Sequence, residues 1–234
     1  MKYNDNLIEY LCDKLLVTKK EFTKEELNSV DELVIDFYDY EYHITTPMDL
    51  NVLSDFHNLE SLRLNFVYVS ESDREYFIDL PIKKLILSNS IVEDISFIDN
   101  YTLETFGVIK SRISNYEFVS KQTHLKKLYL IDITLSNLEF VSNLKELEYL
   151  SLTSSKIDDV SAICCLSNLN TIDIDDSNIT DFSFLNYLPN LKCISISGSQ
   201  FRNNKILFKY LVNKGIKVTN RHSFIYTKED FDNE

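Results

Sequence analysis

Glycine, proline and cysteine are scarce in this 234-residue chain, and tryptophan is absent. The three glycines, Gly107, Gly198 and Gly215, lie far apart, so there is no glycine-rich loop that could cradle a phosphate. No stretch has the composition of an interdomain linker, and we therefore expect one domain over residues 1–234. The four cysteines form no C-x-x-C pair and no metal-like spacing with the four histidines, so we expect reduced thiols, no metal and no cofactor.

Basic side chains are also in short supply, since 24 lysines and arginines stand against 37 aspartates and glutamates, a net charge of −13. Phosphates and anionic lipids would repel such a chain, which argues against a nucleic-acid or membrane partner and favours a basic protein partner. No apolar run approaches the roughly 18 residues of a membrane span. Glu9, Asp13 and Lys14 interrupt the only segment that could serve as a secretory leader, so we expect a cytoplasmic protein.

The dominant feature of the sequence is an internal repeat with a step of 22 residues. Each copy begins with the pattern apolar-x-x-apolar-x-apolar, and a weaker first copy, Val30/Leu33/Ile35, lies 29 residues before the second. The later copies are Leu59/Leu62/Leu64, Ile82/Leu85/Leu87, Leu103/Phe106/Val108, Leu125/Leu128/Leu130, Leu147/Leu150/Leu152, Leu169/Ile172/Ile174 and Leu191/Ile194/Ile196. The steps between the first residues of successive copies, from Leu59 onward, are 23, 21, 22, 22, 22 and 22 residues, a regularity that random clustering of apolar residues would not produce.

Other columns keep the same register when the first apolar residue of each copy is counted as position 1. Positions 4 and 6 lie two residues apart, which places both on the core face of a short strand. Position 9 is mostly serine, which can bond buried backbone amides, and position 13 is Asp or Asn, which suits an Asx-turn. The residues at these two positions are Ser90, Ser111, Ser155, Ser177 and Ser199, and Asp94, Asn115, Asn137, Asp159, Asp181 and Asn203.

This pattern resembles that of leucine-rich repeat proteins, specifically the short 22-residue class found in bacterial internalins. The family pattern L-x-x-L-x-L-x-x-N-x-I/L matches residues 59–201, although the usual Asn at position 9 is mostly Ser here. The resemblance implies an α/β solenoid, a right-handed coil with a parallel concave β-sheet and short 3₁₀ or irregular convex segments. About eight repeats would occupy residues 30–201.

The N-terminal residues 1–29 predict a helical cap, which the open apolar face of a first coil requires. Leu7, Leu11 and Leu15 form one helical stripe, with Ile8 and Leu16 beside it. Two capping-box spacings follow, and they are Thr18 to Glu21 and Thr23 to Glu26.

Residues 202–234 predict a helix–strand C-terminal cap and a tail. We expect a helix that is capped by Asn203 or Asn204, runs through Val212 and stops at Gly215. Residues 216–218 would form a final edge strand, and the acidic residues after 227 would be frayed.

No catalytic constellation is recognisable, because no histidine has a serine or cysteine partner at a known spacing. We therefore expect a non-enzymatic chain without a small-molecule substrate. Asp173, Asp175 and Asp176 could suggest a cation site, but a solvated acidic patch is the favoured interpretation.

The concave strand face is the surface on which we expect a protein partner. Positions 3, 5, 7 and 8 of each copy should face solvent there, and the middle copies combine apolar and aromatic side chains with a basic rim. Such a composition is typical of a protein-binding hot spot, and towards the C-terminus the same face becomes acidic. The predicted partner-binding residues are Arg63, Lys84, Ile86, Ile109, Lys127, Tyr129, Ile131, Tyr149, Asp173 and Asp175.

Three functions remain open at this point. The first is a non-catalytic protein–protein interaction module. The second is a cytoplasmic immunity or antitoxin protein that neutralises a basic toxin, and the third is a regulatory or effector protein that docks on an enzyme. The acidic and aromatic residues 36–42 could contact a basic partner or could pack on the N-terminal cap.

Overall fold

The computed structural model describes residues 5–18, 21–36, 38–39, 44–45, 50–220, 224–227 and 230. The chain forms two compact units, Met1–Gln122 and Thr123–Glu234, which are called unit 1 and unit 2 below.

Unit 1 starts with two helices and continues as strands that alternate with 3₁₀ segments. Its elements are α1 (Asp5–Leu15), α2 (Lys24–Asn28), β1 (Glu32–Asp36), β2 (Tyr38–Asp39), β3 (Ile44–Thr45), β4 (Ser61–Asn65), β5 (Tyr68–Val69), β6 (Lys84–Ser88), β7 (Ile91–Val92), β8 (Thr105–Ile109) and β9 (Arg112–Ile113), with 3₁₀ segments at Leu50–Asp55, Glu71–Tyr76, Ser96–Asn100 and Glu117–Lys121. Strands β1, β4, β6 and β8 pair in parallel in that order. Strands β5, β7 and β9 form a second, short parallel sheet, and β2 pairs with β3 antiparallel.

Unit 2 repeats this arrangement and ends in a helical cap. Its elements are β10 (Lys127–Ile131), β11 (Thr134–Asn137), β12 (Tyr149–Ser151), β13 (Lys156–Asp159), β14 (Thr171–Asp173), β15 (Cys193–Ser195), α3 (Gly198–Asn203), α4 (Lys205–Asn213), β16 (Lys217–Thr219) and β17 (Ile225–Tyr226), with 3₁₀ segments at Glu139–Val141, Ser161–Cys165 and Ser183–Tyr187. Strands β10, β12, β14, β15 and β16 pair in parallel, β17 joins β16 antiparallel, and β11 pairs with β13.

The predicted core columns are confirmed in both units. Every residue at positions 4 and 6 of the eight copies is at most 1% exposed, from Leu33 and Ile35 to Ile194 and Ile196. In the sheets the position-4 residues lie side by side, as Leu33, Leu62 and Leu85 do in unit 1. Burial of each such side chain contributes about 1.5–3 kcal/mol, so the repeat itself provides most of the core.

The position-9 serines form the expected hydrogen-bond ladder. The Ser90 hydroxyl accepts the Val67 N–H at 3.0 Å and donates to the Ser88 carbonyl at 2.7 Å. In turn, Ser111 accepts the Ser90 N–H at 2.9 Å, and in unit 2 Ser155 accepts the Ile133 N–H at 3.1 Å. These three hydroxyls therefore each satisfy a backbone amide of the preceding coil. Ser177 does not join the ladder, because its hydroxyl accepts the Ile179 N–H of its own coil at 3.4 Å. Ser199 does not join it either, because it lies in α3.

The position-13 residues make the expected Asx-turns before the 3₁₀ segments. In five copies the side-chain oxygen accepts the N–H two residues on, at 2.8–3.0 Å. These residues are Asp94, Asn115, Asn137, Asp159 and Asp181. Hydrogen bonds from Ser96 and Ser161 hold the pKa of Asp94 and Asp159 below its ordinary value. Asn203 departs from the column, because it ends α3.

A further column, position 8, adopts the left-handed backbone conformation that the sequence pattern did not reveal. Its φ values lie between 48° and 57° in six successive copies. The residues are Phe66, Asn89, Lys110, Asp132, Ser154 and Asp176. The chain thus turns sharply after each strand without glycine, at a cost of about 1–2 kcal/mol for each residue other than Gly, Asn or Asp.

Helix α1 forms the predicted N-terminal cap, with Leu7, Ile8 and Leu11 at most 6% exposed. The prediction that Leu16 extends this apolar stripe is wrong, because Leu16 is 93% exposed and has a φ of 55°. It is the left-handed residue of a helix stop, in which the N–H of Val17 bonds the Cys12 carbonyl at 2.9 Å. The Thr23–Glu26 capping box is confirmed at α2. The Thr18–Glu21 spacing includes residues 19 and 20, which lie outside the described residues.

Replacing Leu16 by glycine should stabilise the protein by about 0.5–1 kcal/mol, since it removes left-handed strain and no buried surface. Urea unfolding of the wild type and Leu16→Gly would measure this difference. The matched control is Leu15→Gly, which places glycine inside the last turn of α1 and should destabilise it. A Leu16→Gly protein no more stable than the wild type would contradict this role of Leu16.

The C-terminal cap differs from the prediction in three ways. The chain leaves the repeat at α3, which begins with a capping box between Ser197 and Gln200. Asn204 stands at the N-cap of α4, but its amide donates to the Gln200 carbonyl at 3.0 Å and does not cap the helix. Strand β16 is not the edge strand of the sheet, because β17 pairs with it.

Gly215 does form the predicted stop after α4, with a φ of 84°. Of the predicted frayed tail beyond residue 227, only residue 230 is described.

Candidate functional site

The strand face of each unit is defined as the side chains at repeat positions 3, 5 and 7, which lie on the side of the sheet opposite the core. In unit 2 the first strand, β10, contributes Lys127, Tyr129 and Ile131 to this face. Lys127 is exposed, while Tyr129 and Ile131 are half-buried. The alternation of buried and open positions follows from the strand period of two.

A pair of tyrosines lies on the first two strands of the strand face of unit 2. The rings of Tyr129 and Tyr149 lie 5.1 Å apart between centroids, tilted by 40°. The two residues come from neighbouring strands, where Lys127 is the register partner of Tyr149. Burial raises the pKa of Tyr149 to about 12, and the nearby Asp173 and Tyr129 add to this. The Tyr149 hydroxyl therefore stays protonated at neutral pH and can donate a hydrogen bond to a partner.

Asp173 on β14 is the acidic neighbour of this pair. Its carboxylate accepts the N–H of Asp175 at 3.1 Å and also interacts with the hydroxyls of Thr153 and Ser195. Burial nevertheless raises the pKa of Asp173 above its ordinary value. The face thus places one partly desolvated carboxylate beside two aromatic rings.

Asp173→Asn should stabilise the protein at pH 7 but not in acid. A carboxyl whose pKa is higher in the folded than in the unfolded chain contributes stability that is fully present below the unfolded pKa. That contribution is lost as the pH rises through the folded pKa, so the wild type carries a penalty at pH 7 that asparagine lacks. Urea unfolding at pH 7 and below pH 3.8, the unfolded value, tests this. Equal stability differences at both pH values would contradict it, and the exposed Asp158→Asn is the matched control.

Two residues predicted to face solvent are buried. Ile86 on β6 is 4% exposed and Asp175 is 2% exposed. The register sets Ile86 beside Arg63, whose long aliphatic stem can cover apolar surface. Asp175 lies close enough to Tyr226 of β17 to act on its pKa, so the C-terminal cap reaches this carboxylate. Neither side chain is available as a first contact for a partner.

The strand face of unit 1 carries the other predicted residues. Arg63 is exposed and Ile109 is half-buried. Lys84 was expected to form part of an open basic rim, but its Nζ lies 3.6 Å from a carboxylate oxygen of Glu32. Glu32 also faces Lys14 at 3.8 Å, so the charge of Lys84 is partly neutralised within the unit.

Polar side chains on the flank of unit 2 form a groove of about 550 Å³ that the sequence analysis missed. Its lining residues are Lys126, Glu146, Glu148, Asn168, Asn170, Asn190 and Lys192. The amides of Asn168 and Asn190 donate to the carbonyls of Lys145 and Ser167 at 2.8 and 2.9 Å. These asparagines therefore tie successive coils together, and their spacing of 22 residues was the available signal.

In the part of the chain that the structure describes, no group of three His, Cys, Asp or Glu side chains is arranged to hold a metal ion. The four cysteines are free thiols. None of the helices within the described ranges is long and apolar enough to cross a membrane.

The fold is similar to leucine-rich repeat proteins of known structure. An internalin (inlF) from Listeria monocytogenes aligns with a TM-score of 0.62 at 25% identity, over 82% of this chain and 56% of its own length. Internalin C2 from the same species aligns with a TM-score of 0.59 at 21% identity, over 85% of this chain and 88% of its own length. A leucine-rich repeat protein of Leptospira interrogans aligns with a TM-score of 0.55 at 20% identity, over 84% of this chain and 56% of its own length. No family model and no curated protein matches the chain.

The chain thus spans about half the length of the inlF internalin and of the Leptospira protein. The parallel strands and the short 3₁₀ segments of this chain fit the leucine-rich repeat fold that these structural similarities show. The chain therefore has the leucine-rich repeat fold, and it is similar in structure to the internalins.

Proposed function

We propose that the chain is a non-catalytic protein-binding module that takes its partner on the strand face of unit 2. The observation that carries this proposal is the half-buried pair Tyr129 and Tyr149, with ring centroids 5.1 Å apart. Tyrosine is enriched in binding hot spots, because it offers a large rigid surface and a polar tip at low entropic cost. Two contacting rings on one face form an anchor of the size such hot spots use.

Charged side chains on either side of this tyrosine pair would orient a bound partner. Lys127 is exposed next to the tyrosines, and the partly desolvated Asp173 lies on the other side. A partner with an acidic group near Lys127 and a basic group near Asp173 would complement both. On unit 1 we propose Arg63 and Ile109 as additional contacts.

Site-specific photo-crosslinking tests this proposal. A benzophenone amino acid at Thr171, a half-buried position in register with Tyr149, should capture a protein partner in the source cell. The same group at Tyr187, which is 62% exposed in a 3₁₀ segment, is the matched control. A partner that crosslinks from Tyr187 but not from Thr171 would contradict the strand face as the binding surface.

The net charge of −13 favours a second candidate, in which the chain is a cytoplasmic immunity protein that neutralises a basic toxin. Electrostatic steering would then speed the capture of a cationic partner. We expect an association rate that falls at least about tenfold between low and high salt. An association rate that does not depend on salt would argue against this candidate.

A further inference from the structure

Charge is distributed unevenly along this acidic chain. Residues 182–228 contain eight lysines and arginines and no aspartate or glutamate. Residues 1–122 contain 23 acidic and 12 basic side chains, a net charge of −11. The net charge of −13 is therefore the sum of a basic C-terminal cap and a much more acidic remainder, of which unit 1 is the larger part.

The exposed side of helix α4 in the cap combines this positive charge with apolar side chains. Ile206 is 89% exposed and Tyr210, one helical turn later, is 51% exposed. Arg202 is exposed in the preceding helix α3, and Lys214 lies one turn after Tyr210 with its Nζ 4.5 Å from the Tyr210 ring centroid. We call these four residues the cap patch. It combines an apolar pair with two cationic side chains.

Unit 1 carries an exposed tyrosine and isoleucine beside acidic side chains. Tyr68 and Ile91 are register partners on β5 and β7, and they are 55% and 47% exposed. The Tyr68 hydroxyl donates to the Glu93 carboxylate, and the exposed Glu71 begins the following 3₁₀ segment. We call these four residues the flank patch. Arg112 borders Ile91 on β9, so the acidic side of the patch is the Tyr68 side.

We propose that the cap patch of one copy binds the flank patch of a second copy. Each patch offers one tyrosine and one isoleucine, and the cations around the first meet the carboxylates around the second. A second copy is the occupant the observations favour, because the acidic complement of the cap patch is present on the same polypeptide at the same concentration. The contact is heterologous, so a dimer keeps one free patch of each kind and can grow further or close into a ring.

Sedimentation equilibrium of the full chain tests this proposal. Both patches are small, so the contact is weak and must be measured at high protein concentration. At about 50 mM salt the apparent mass should rise with concentration above the 27.4 kDa monomer. At about 500 mM salt it should return towards the monomer, because the Debye length then falls to a few ångströms.

A charge swap makes the test specific. The cap variant Arg202→Glu/Lys214→Glu and the flank variant Glu71→Lys/Glu93→Lys should each associate at least about tenfold more weakly than the wild type. In a mixture of the two, the acidic cap meets the basic flank and the basic cap meets the acidic flank, so association should be restored. Tyr187→Ser, which changes an exposed tyrosine outside both patches, should associate like the wild type.

Several outcomes would overturn the proposal. One is a wild type that stays monomeric at all concentrations, and another is association that neither charge variant weakens or that their mixture does not restore. A third is a monomeric wild type that sediments with phosphatidylserine vesicles while the Ile206→Ser variant does not. That result would show that a lipid surface occupies the cap patch instead. Thermal unfolding of each variant confirms that a loss of association is not a loss of folding.

Discussion

The double variant Tyr129→Ala/Tyr149→Ala should bind the protein captured from Thr171 at least about 100-fold more weakly than the wild type. Hot-spot side chains of this kind typically contribute about 2 kcal/mol or more when truncated. Because the two rings touch each other, the double variant should lose less than the sum of the two single variants. Titration calorimetry or surface plasmon resonance with the three variants measures both effects.

The fold should survive these changes, since both tyrosines are half-exposed and project from the strand face. Tyr187→Ala is the matched control, because it removes an exposed tyrosine of unit 2 from a 3₁₀ segment. Wild-type affinity in the folded double variant would show that the partner binds elsewhere.

Ser155→Ala should destabilise the protein by about 1–3 kcal/mol, the largest effect we expect from the loss of a single oxygen atom. The Ser155 side chain is fully buried, accepts the Ile133 N–H at 3.1 Å and donates to the Leu130 carbonyl at 2.8 Å. Alanine leaves both backbone groups buried without these bonds. Urea unfolding should show a lower midpoint, and an unchanged slope would indicate that the change acts on the native state.

Ser167→Ala is the matched control for this experiment, because Ser167 is exposed in the same unit. We expect its effect to stay within about 0.5 kcal/mol. If Ser155→Ala were equally mild, the serine ladder would not stabilise the coils as its geometry indicates.

The core was predictable from the sequence because it depends on the position of each residue within its own coil. The strand period of two determines which side of the sheet Leu128 occupies, and the 22-residue step aligns it with Leu150. The Asx-turns and the serine ladder were predictable for the same reason. Each is a local hydrogen-bonding requirement that recurs at a fixed place in the repeat.

Exposure on the strand face was less predictable, because it depends on neighbours in other strands. Ile86 and Ile109 both lie on the predicted open side, yet one is buried and the other half-exposed. Asp175 is also buried, and it lies close enough to Tyr226 to act on the pKa of that residue in β17, a strand that no pattern in residues 219–234 indicated. The two-residue period of a strand predicts which side of the sheet a side chain lies on, but it does not predict which neighbouring residues bury that side chain.

The cap on the C-terminal side shows a signal that could have been used. Ser197 and Gln200 have the S-x-x-Q spacing of a capping box, and the structure places the start of α3 there. The repeat register predicted another turn at this point, and α3 was therefore not predicted. Leu16 is the opposite case, because no sequence rule assigns an exposed leucine to a left-handed helix stop.

Hydroxyl-radical footprinting of the chain with and without its captured partner tests the central claim most directly. We expect Tyr129 and Tyr149 to be protected from oxidation in the complex, while Tyr187 keeps the reactivity of the free protein. Equal protection of all three, or protection of Tyr187 alone, would contradict a binding surface on the strand face of unit 2.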